Sequence, residues 1–416
     1  MRHLRGATVG LVTLALLAGC SGPDDDGGAG EAGEAEGPDT EEATEAAPAI
    51  EPELFGGGDF YAVPDPLPEG DHGDLIRYEQ VDEPAAGDGA THWRVMYLSE
   101  SLAGDPIAVT GFALVPIAPA PEGGRTAVAV AHGTTGIADE CAPSKEPGVY
   151  GNVAGVSGST KPVLAFSDFE GLGTPGRHPY LVGESEGRGT LDALKASRQL
   201  PDAEVGDRYG IWGYSQGGHA AMFAHQIASE WGPADMDLVG TVAGAPATEM
   251  PVIFQSAGSL PGVAGFLYMI IAGFEAAYPE ADPSLLLTPT GVDLLDAVDE
   301  ECGGGFAVAA GRAPDELLVP GYAEAEPWPE LMAANNPGEV ATDDPLLILH
   351  SAADDVVPAT LSQVTFDRLC GLGQVVERRV YDEGEGHGAA AVDAAIDGFA
   401  WIDGLFTGDG EAISTC

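Results

Sequence analysis

The stretch Tyr209-Gly-Ile-Trp-Gly-Tyr-Ser-Gln-Gly-Gly-His219 predicts a short buried strand, a sharp turn that carries Ser215, and a helix that runs from His219 towards Trp231. Small neighbours suit such a turn, because its backbone passes close to other strands and helices. The turn pushes the serine hydroxyl out of the sheet and sets the next backbone N–H and the helix N-terminus beside it. This arrangement prepares a weak nucleophile for attack on an ester or amide carbonyl.

A second copy of the G-x-S-x-G pattern makes Ser185 a rival nucleophile. Glycine accounts for 60 of the 416 residues, so the pattern alone arises easily by chance, and it recurs in Gly183-Glu-Ser-Glu-Gly187. The two glutamates beside Ser185 would oppose the negative charge that develops during acyl transfer. We therefore favour Ser215 and interpret Ser185 as the cap of a helix that begins near Gly187.

Buried strands alternate with helices along the chain. The first two strands have the alternating pattern of antiparallel edge strands, and the later ones are continuous apolar runs typical of parallel sheets. We predict strands at 75–82, 92–98, 107–116, 126–131, 163–166, 238–243, 346–349 and 375–381, and helices at 189–200 and 389–406. This order predicts an α/β fold with a mostly parallel central sheet and helices on both faces, and with a binding site at the carboxyl ends of the strands.

About 100 residues between Pro246 and Pro345 interrupt this alternation of strands and helices. A connection of this length is an inserted cap rather than a loop, and we place it at about 250–340. Its first part, Val252 to Tyr278, is largely apolar and predicted to be helical. Two interpretations remain open: these residues roof a site for an acyl chain, or they form the core of the cap itself.

Chain order selects the partners of the serine. In hydrolases with this strand-and-helix order, an acid and then a histidine follow the nucleophile. The strand at 346–349 leads to Asp354, and His387 is the one histidine that comes later in the sequence. We predict that His387 is the base and that Asp354 orients it; Asp355 is the rival acid, and its spacing to the following Val-Pro pair is less suitable. The other polar residues near strand ends are interpreted as structural or solvated: Asp139, Asp168, His219, His225 and His350.

The oxyanion hole needs two backbone donors. The first is the N–H of Gln216, the residue after the nucleophile. The second is expected in the loop His132-Gly-Thr-Thr-Gly136, which follows an earlier strand, and it is either Thr134 or Thr135.

The N-terminus predicts export. Residues 1–19 have the basic start and short apolar segment of a signal peptide, and Leu17-Ala-Gly-Cys20 resembles a bacterial lipobox, so lipid attachment to Cys20 is expected. Residues 20–58 are predicted to be a disordered acidic tether, and residues 59–416 the folded domain. We expect a cell-surface lipoprotein or a secreted protein of a bacterium. The net charge of −51 argues against nucleic acid as a partner.

Four further cysteines stand at positions 141, 302, 370 and 416. An even number in an exported chain indicates two disulfides, for which three pairings are possible. The sequence has no C-x-x-C pair, and the chemistry outlined above requires neither a metal nor a cofactor.

One long run resembles the secretory lipase family of the fungal lipase A type. It is Ser167-Asp-Phe-Glu-Gly-Leu-Gly-Thr-Pro-Gly-Arg-His-Pro-Tyr-Leu-Val-Gly-Glu-Ser-Glu-Gly-Arg188, and Gly213-Tyr-Ser-Gln-Gly217 with the Asp354/His387 pair adds to it. The resemblance spans about residues 60 to 410. It implies an α/β-hydrolase fold with a helical cap, a Ser215–His387–Asp354 triad and hydrolysis of carboxylic esters with the acyl chain held under the cap. It also implies the pairings Cys141–Cys302 and Cys370–Cys416. The lipobox and the tether depart from the fungal pattern and favour surface anchoring.

The sequence thus predicts an exported serine ester hydrolase, a lipase or esterase that acts on acylglycerols or other acyl esters. Three alternatives remain: an acyltransferase with the same residues, a serine aminopeptidase on the same fold, and a non-catalytic surface-binding lipoprotein. The oligomeric state is not predicted.

Overall fold

The computed structural model describes residues 50–81, 89–146, 155–259, 263–382 and 385–416. The predicted signal peptide, Cys20 and the predicted tether up to residue 49 lie outside the described residues. The prediction of a disordered tether is wrong for its last part, because Glu53–Leu54 pair with a strand of the sheet and Phe55 packs against the apolar cluster around Phe60. The part of the chain that is described contains no helix long and apolar enough to cross a membrane.

The described strands form one sheet in the order β1-β2-β3-β4-β6-β5-β7-β8-β9-β10. Six strands from β6 through β5 to β10 run parallel to one another, whereas β2, β3, β4 and β6 pair antiparallel at the other side. The predicted mostly parallel sheet is therefore confirmed. The strands are β1 (Glu53–Leu54), β2 (Leu75–Gln80), β3 (Ala90–Glu100), β4 (Pro106–Pro116), β5 (Arg125–Ala131), β6 (Val163–Ser167), β7 (Val205–Tyr214), β8 (Asp237–Gly244), β9 (Leu346–Ser351) and β10 (Val376–Tyr381).

Helices cover both faces of the sheet. Since neighbouring residues of a strand point to opposite sides, each strand contributes side chains to both layers. Ala129 packs with Leu194 of α1 on one face, while the adjacent Val130 packs with Phe399 and Ile402 of α10 on the other. The helices are α1 (Gly183–Ser197), α2 (Gln216–Trp231), α3 (Met250–Ala257), α4 (Ala264–Ala277), α5 (Pro289–Leu295), α6 (Gly304–Ala309), α7 (Pro314–Leu317), α8 (Trp328–Ala334), α9 (Ala359–Leu372) and α10 (His387–Thr407). Short 3-10 turns lie at Asp139–Cys141, Pro143–Lys145, Pro283–Leu285, Asp296–Asp299 and Tyr322–Glu324.

Helix α1 begins earlier than the sequence suggests. It starts at Gly183, so Ser185 lies inside its first turn and Val182 occupies the N-cap position. The hydroxyl of Ser185 donates a hydrogen bond to Oε2 of Glu170 at 2.6 Å instead of bonding to the helix backbone. The interpretation of Ser185 as a helix cap is therefore wrong, because a distant carboxylate takes its hydroxyl.

The buried face of the closing helix α10 matches the apolar spacing of the sequence only in part. Phe399 and Ile402 are buried, whereas Val392 and Ile396, which follow the same spacing, are 63% and 46% exposed. Small residues, among them Ala394 and Gly398, are buried as well. A side chain at Gly398 would contact the indole of Trp212, so small residues let this helix approach the sheet closely.

Helices α3 to α8 lie between β8 and β9, where the sequence predicts the cap. Their apolar residues share one buried cluster, which includes Phe254, Phe274 and Trp328 and also contains Tyr180 and Leu181 from the segment before α1. One disulfide, Cys141–Cys302, joins this region to the segment after β5, and a second, Cys370–Cys416, joins α9 to the C-terminus. Both pairs are those that the family resemblance implies.

Candidate active site

Ser215 stands at the sharp turn between β7 and α2. Its φ of 61° and ψ of −118° form a strained conformation that is rare for a residue with a side chain. The turn fits because its neighbours are glycines: a Cβ on Gly213 would overlap the carbonyl oxygen of Gly217, and one on Gly217 would overlap that of Ala131. Helix α2 begins directly after the serine, at Gln216, three residues earlier than the sequence suggests.

The structure brings His387 and Asp354 to Ser215. Nε2 of His387 lies 2.8 Å from Oγ of Ser215, and Nδ1 of His387 lies 2.7 Å from Oδ2 of Asp354. Because a carboxylate only accepts, Nδ1–H donates to Asp354 and leaves Nε2 free to accept the hydroxyl proton. His387 is the first residue of α10 rather than part of a loop. The geometry is that of a nucleophile, its base and an orienting acid.

Four N–H groups lie around the carboxylate of Asp354. The N–H groups of Val356 and Val357 donate to Oδ1 at 2.9 and 2.8 Å. Nε2 of His350 lies 2.9 Å from the carbonyl oxygen of Val357, to which it donates, and 3.4 Å from the Oδ2 that also binds His387. Burial alone would raise the pKa of Asp354, but hydrogen bonds from His350 and His387 and from the backbone hold it well below its usual range. Asp354 therefore stays ionised and faces the imidazole as an anion.

Two further groups hold the backbone of His387. Oδ1 of Asp355 accepts from its N–H at 2.9 Å, and the hydroxyl of Tyr214 donates to its carbonyl oxygen at 2.6 Å. The rival acid thus binds the main chain of the histidine while Asp354 binds the ring. The sequence analysis missed Tyr214, although it directly precedes Ser215. It interpreted His350 as structural, although His350 lies four residues before Asp354.

The predicted oxyanion loop lies next to the serine. A Cβ built on Gly133 would come within 3.8 Å of Cβ of Ser215. The hydroxyl of Thr134 bonds that of Tyr180 at 2.7 Å, and that of Thr135 is buried without a hydrogen-bond partner in the described chain. The loop therefore lies beside the serine, and neither threonine hydroxyl forms a hydrogen bond with Ser215.

Gln216 belongs to a buried polar cluster on the far side of the serine. Its amide nitrogen lies 2.9 Å from Nε2 of His178 and 2.8 Å from Oε1 of Glu186. Nδ1 of His178 donates to the carbonyl of Glu170, and burial lowers the pKa of His178 to about 4, so the neutral ring accepts through Nε2. His219 completes the cluster, with Nδ1 at 3.2 Å from Oε2 of Glu186. Sequence reasoning had assigned His219 to packing or capping.

An apolar cavity of about 270 Å³ opens beside Ser215 and Gln216. Its roof comes from the predicted cap and its floor from the segment after Asp354; it is lined by Val252, Ile253, Phe266, Ile270, Val357 and Leu361. Ile270 also belongs to the core of the cap. Some residues of the apolar cap stretch therefore face the cavity while others pack within the cap, and binding of an acyl chain there stays a prediction.

The remaining polar candidates lie elsewhere. Asp168 is fully buried and accepts hydrogen bonds from Thr110 and from Ser144, and burial raises its pKa. His225 bonds to Thr241 and Thr342. Within the described ranges, no three histidine, cysteine or acidic residues are grouped so that they could hold a metal ion.

Comparison with known proteins shows similarity to secretory lipases. The model of the secretory lipase family matches residues 162–312. Lipase 1 of Candida albicans is 23% identical over 390 residues, which cover 84% of this chain and 80% of that protein. The secreted triacylglycerol lipase LIP4 of Malassezia globosa is 24% identical and covers 64% of this chain and 62% of its own.

Solved structures show the same fold. The crystal structure of Candida antarctica lipase A superimposes with a TM-score of 0.74 at 18% identity, over 86% of this chain and 87% of that one. The serine at the turn between β7 and α2, the parallel sheet and these sequence relatives lead to one conclusion. The chain is related to the secretory lipase family, and it is an ester hydrolase with the α/β-hydrolase fold.

Proposed function

We propose that the chain is an exported lipase or esterase in which Ser215, His387 and Asp354 form the catalytic triad. The observation that carries the proposal is the unbroken hydrogen-bonded series from Oγ of Ser215 through both ring nitrogens of His387 to Asp354. An activated serine beside a base that is itself held by a carboxylate is the arrangement that acyl transfer requires.

The reaction follows from the proton positions. Oγ of Ser215 attacks the ester carbonyl while Nε2 of His387 takes the hydroxyl proton, and the Asp354 carboxylate stabilises the imidazolium. His387 then gives that proton to the leaving alcohol, and an acyl-enzyme remains. Water, deprotonated by His387, attacks the acyl-enzyme, and the acid leaves as Ser215 regains its proton.

The negative oxygen of each tetrahedral intermediate needs donors. We assign the N–H of Gln216 and that of Thr134 or Thr135 to this role. The closeness of Gly133 to the serine supports the second assignment. Backbone donors fixed before the reaction stabilise the developing charge more than water does, because they need no reorganisation.

The apolar cavity supports an acyl substrate. It begins at Ser215 and is bounded mostly by aliphatic and aromatic side chains, so an ester with its carbonyl at the serine would bury its acyl chain there. Acylglycerols are the substrate class suggested by the name of the Malassezia relative. The cavity and the triad together favour a lipase or esterase over an aminopeptidase, whose substrate carries a charged amino group.

The test combines labelling with a substrate series. A fluorophosphonate probe should label the wild type at Ser215 and leave the Ser215→Ala variant unlabelled and inactive on p-nitrophenyl esters. The series from acetate to palmitate, with emulsified triglyceride, defines the acyl preference. Full activity of Ser215→Ala would refute the nucleophile, and a strict preference for acetate would refute acyl binding in the cavity.

We also propose that Cys20 carries a lipid anchor and that residues 20–49 tether the domain to a membrane surface. The support is the lipobox-like Leu17-Ala-Gly-Cys20 and the acidic composition that follows it. Produced in a bacterial host, the wild-type chain should fractionate with membranes, and Cys20→Ala should not. Equal fractionation of the two would refute the anchor.

A further inference from the structure

The side chain of Gln216 is fixed in one orientation. Its amide nitrogen uses one hydrogen towards His178 and the other towards Glu186, and the residue is 1% exposed. A flipped amide would set its oxygen against the Glu186 carboxylate and against the lone pair of His178. The amide oxygen of Gln216 has no hydrogen-bond partner among the described residues. The orientation therefore satisfies both amide hydrogens and leaves the amide oxygen unpaired.

Glu186 is the centre of this cluster, and its side chain is fully buried. Its Oε1 accepts from the N–H of Leu181 at 2.9 Å as well as from Gln216, and its Oε2 faces Nδ1 of His219. The other nitrogen of His219 lies 3.0 Å from the carbonyl oxygen of Asn335. A carboxylate in this position is costly unless each oxygen is paired, and here the segment before α1 and the first turn of α2 supply the partners.

The cluster acts on the peptide that follows the strained serine. The place of the Gln216 N–H depends on where the first turn of α2 lies relative to Ser215. The hydrogen bonds of the amide with His178 and Glu186 hold Gln216 in that turn and so oppose a shift of its backbone N–H away from the serine. A small misplacement of a donor is expensive in catalysis, because roughly 1 Å can cost about a hundredfold in rate.

We propose that Glu186, together with His178 and His219, is a positioning residue that holds Gln216 so that its backbone N–H points at the oxyanion. The proposal rests on the proposed function of Ser215. None of the three side chains touches the substrate; they act through the amide of Gln216. Glu186 also holds Leu181, which lines the cavity, so the same carboxylate anchors the oxyanion donor and one cavity wall.

A double-mutant cycle tests the proposal. The variants are Glu186→Leu, Gln216→Leu and the double variant; Gln216→Leu keeps the backbone N–H and removes only the amide. Each single variant should lower kcat by roughly tenfold to a hundredfold. The kcat of the double variant should be no lower than that of the worse single variant, because both single changes remove the same hydrogen bond between Gln216 and Glu186. The inhibition constant of an alkylboronic acid, which mimics the tetrahedral intermediate, should rise in proportion to the loss of kcat/KM.

Controls separate positioning from folding. Glu184→Gln, on the same helical turn but exposed and paired with Arg188, should match the wild type. Glu186→Gln keeps one acceptor oxygen, so its kcat should be at least about tenfold higher than that of Glu186→Leu. If Glu186→Leu does not fold, as judged by circular dichroism, His178→Leu takes its place in the cycle, since it removes the other bond to the same amide.

The outcomes are distinct. Additive losses, or variants that change KM and leave both kcat and boronate affinity unaltered, would overturn the positioning role. A wild type that the fluorophosphonate does not label at Ser215 would overturn the proposed function itself. Wild-type labelling with an additive cycle would overturn only the inference about Glu186.

Discussion

Replacement of the two adjacent acids, Asp354 and Asp355, by asparagine should give very different enzymes. Both carboxylates bind His387, but Asp354 binds ring nitrogen Nδ1 at 2.7 Å and Asp355 binds the backbone N–H at 2.9 Å. The two variants differ by one position in the chain and remove the same charge. They therefore separate the effect of charge from the effect of proton placement.

The loss expected for Asp354→Asn follows from its donors. Oδ1 accepts from two backbone N–H groups, of Val356 and Val357, so the single oxygen of asparagine would stay there. Its NH2 group would then face Nδ1 of His387, which would have to accept, and the ring proton would move to Nε2. A ring protonated at Nε2 cannot take the proton of Ser215. The same replacement in a serine protease lowers kcat by roughly 10⁴, which corresponds to about 5.5 kcal/mol of transition-state stabilisation.

The loss expected for Asp355→Asn is small. Asparagine keeps a carbonyl oxygen that accepts from the N–H of His387, and the site of Asp355 is exposed, so solvent screens the lost charge. We expect a cost below about 1 kcal/mol, or less than about fivefold in kcat. The assay is kcat and KM on p-nitrophenyl butyrate, with fluorophosphonate labelling to count folded sites. A larger loss for Asp355→Asn than for Asp354→Asn, or a loss below about tenfold for Asp354→Asn, would refute the reasoning.

Three further predictions follow from the site and its supports. Ile253→Trp should fill the cavity and lower the ratio of long-chain to short-chain p-nitrophenyl ester hydrolysis by roughly tenfold, whereas Val292→Trp on an exposed part of the cap should not; equal ratios would place the acyl chain elsewhere. Gly217→Ala should destabilise the fold by more than about 2 kcal/mol in urea unfolding, because its Cβ would overlap the carbonyl of Ala131; an unchanged midpoint would contradict this. The depressed pKa of Asp354 should stabilise the fold fully above the ordinary pKa of about 3.9 and less as pH falls through its folded value, so the melting temperatures of wild type and Asp354→Asn should converge in acid; a constant difference would contradict this.

The parts of the site predictable from sequence are those fixed by chain order. Each buried run ends at the same edge of a parallel sheet, so residues just past those ends meet in space although they are far apart in sequence. That rule selects Asp354 and His387 without knowledge of any contact, and the structure brings both to Ser215. The serine itself is indicated by its glycines, whose contacts with Ala131 and Gly244 explain why larger residues would not fit.

Residues that act through long-range contacts were not predictable. The hydroxyl of Tyr214 reaches the carbonyl of His387, 173 positions away, and nothing local in either segment specifies that bond. The first half of α10 was misjudged for a related reason. Val392 follows the helical spacing of Phe399 and Ile402 but is exposed, and the buried residues in this half of the helix are Ala390 and Ala394.

The charges around Ser185 show where sequence adjacency misleads. The sequence treats Glu184 and Glu186 as equivalent neighbours of a serine. On a helix, however, residues two apart point about 200° away from each other. Glu184 accordingly lies at the surface with Arg188, whereas Glu186 turns inward and binds Gln216. The carboxylate of Glu186, which argues against Ser185 as a nucleophile, is thus hydrogen-bonded to Gln216, the residue after Ser215. Its oxygens face the N–H of Leu181, the amide of Gln216 and Nδ1 of His219, so the buried carboxylate is paired although it lies near the proposed oxyanion site.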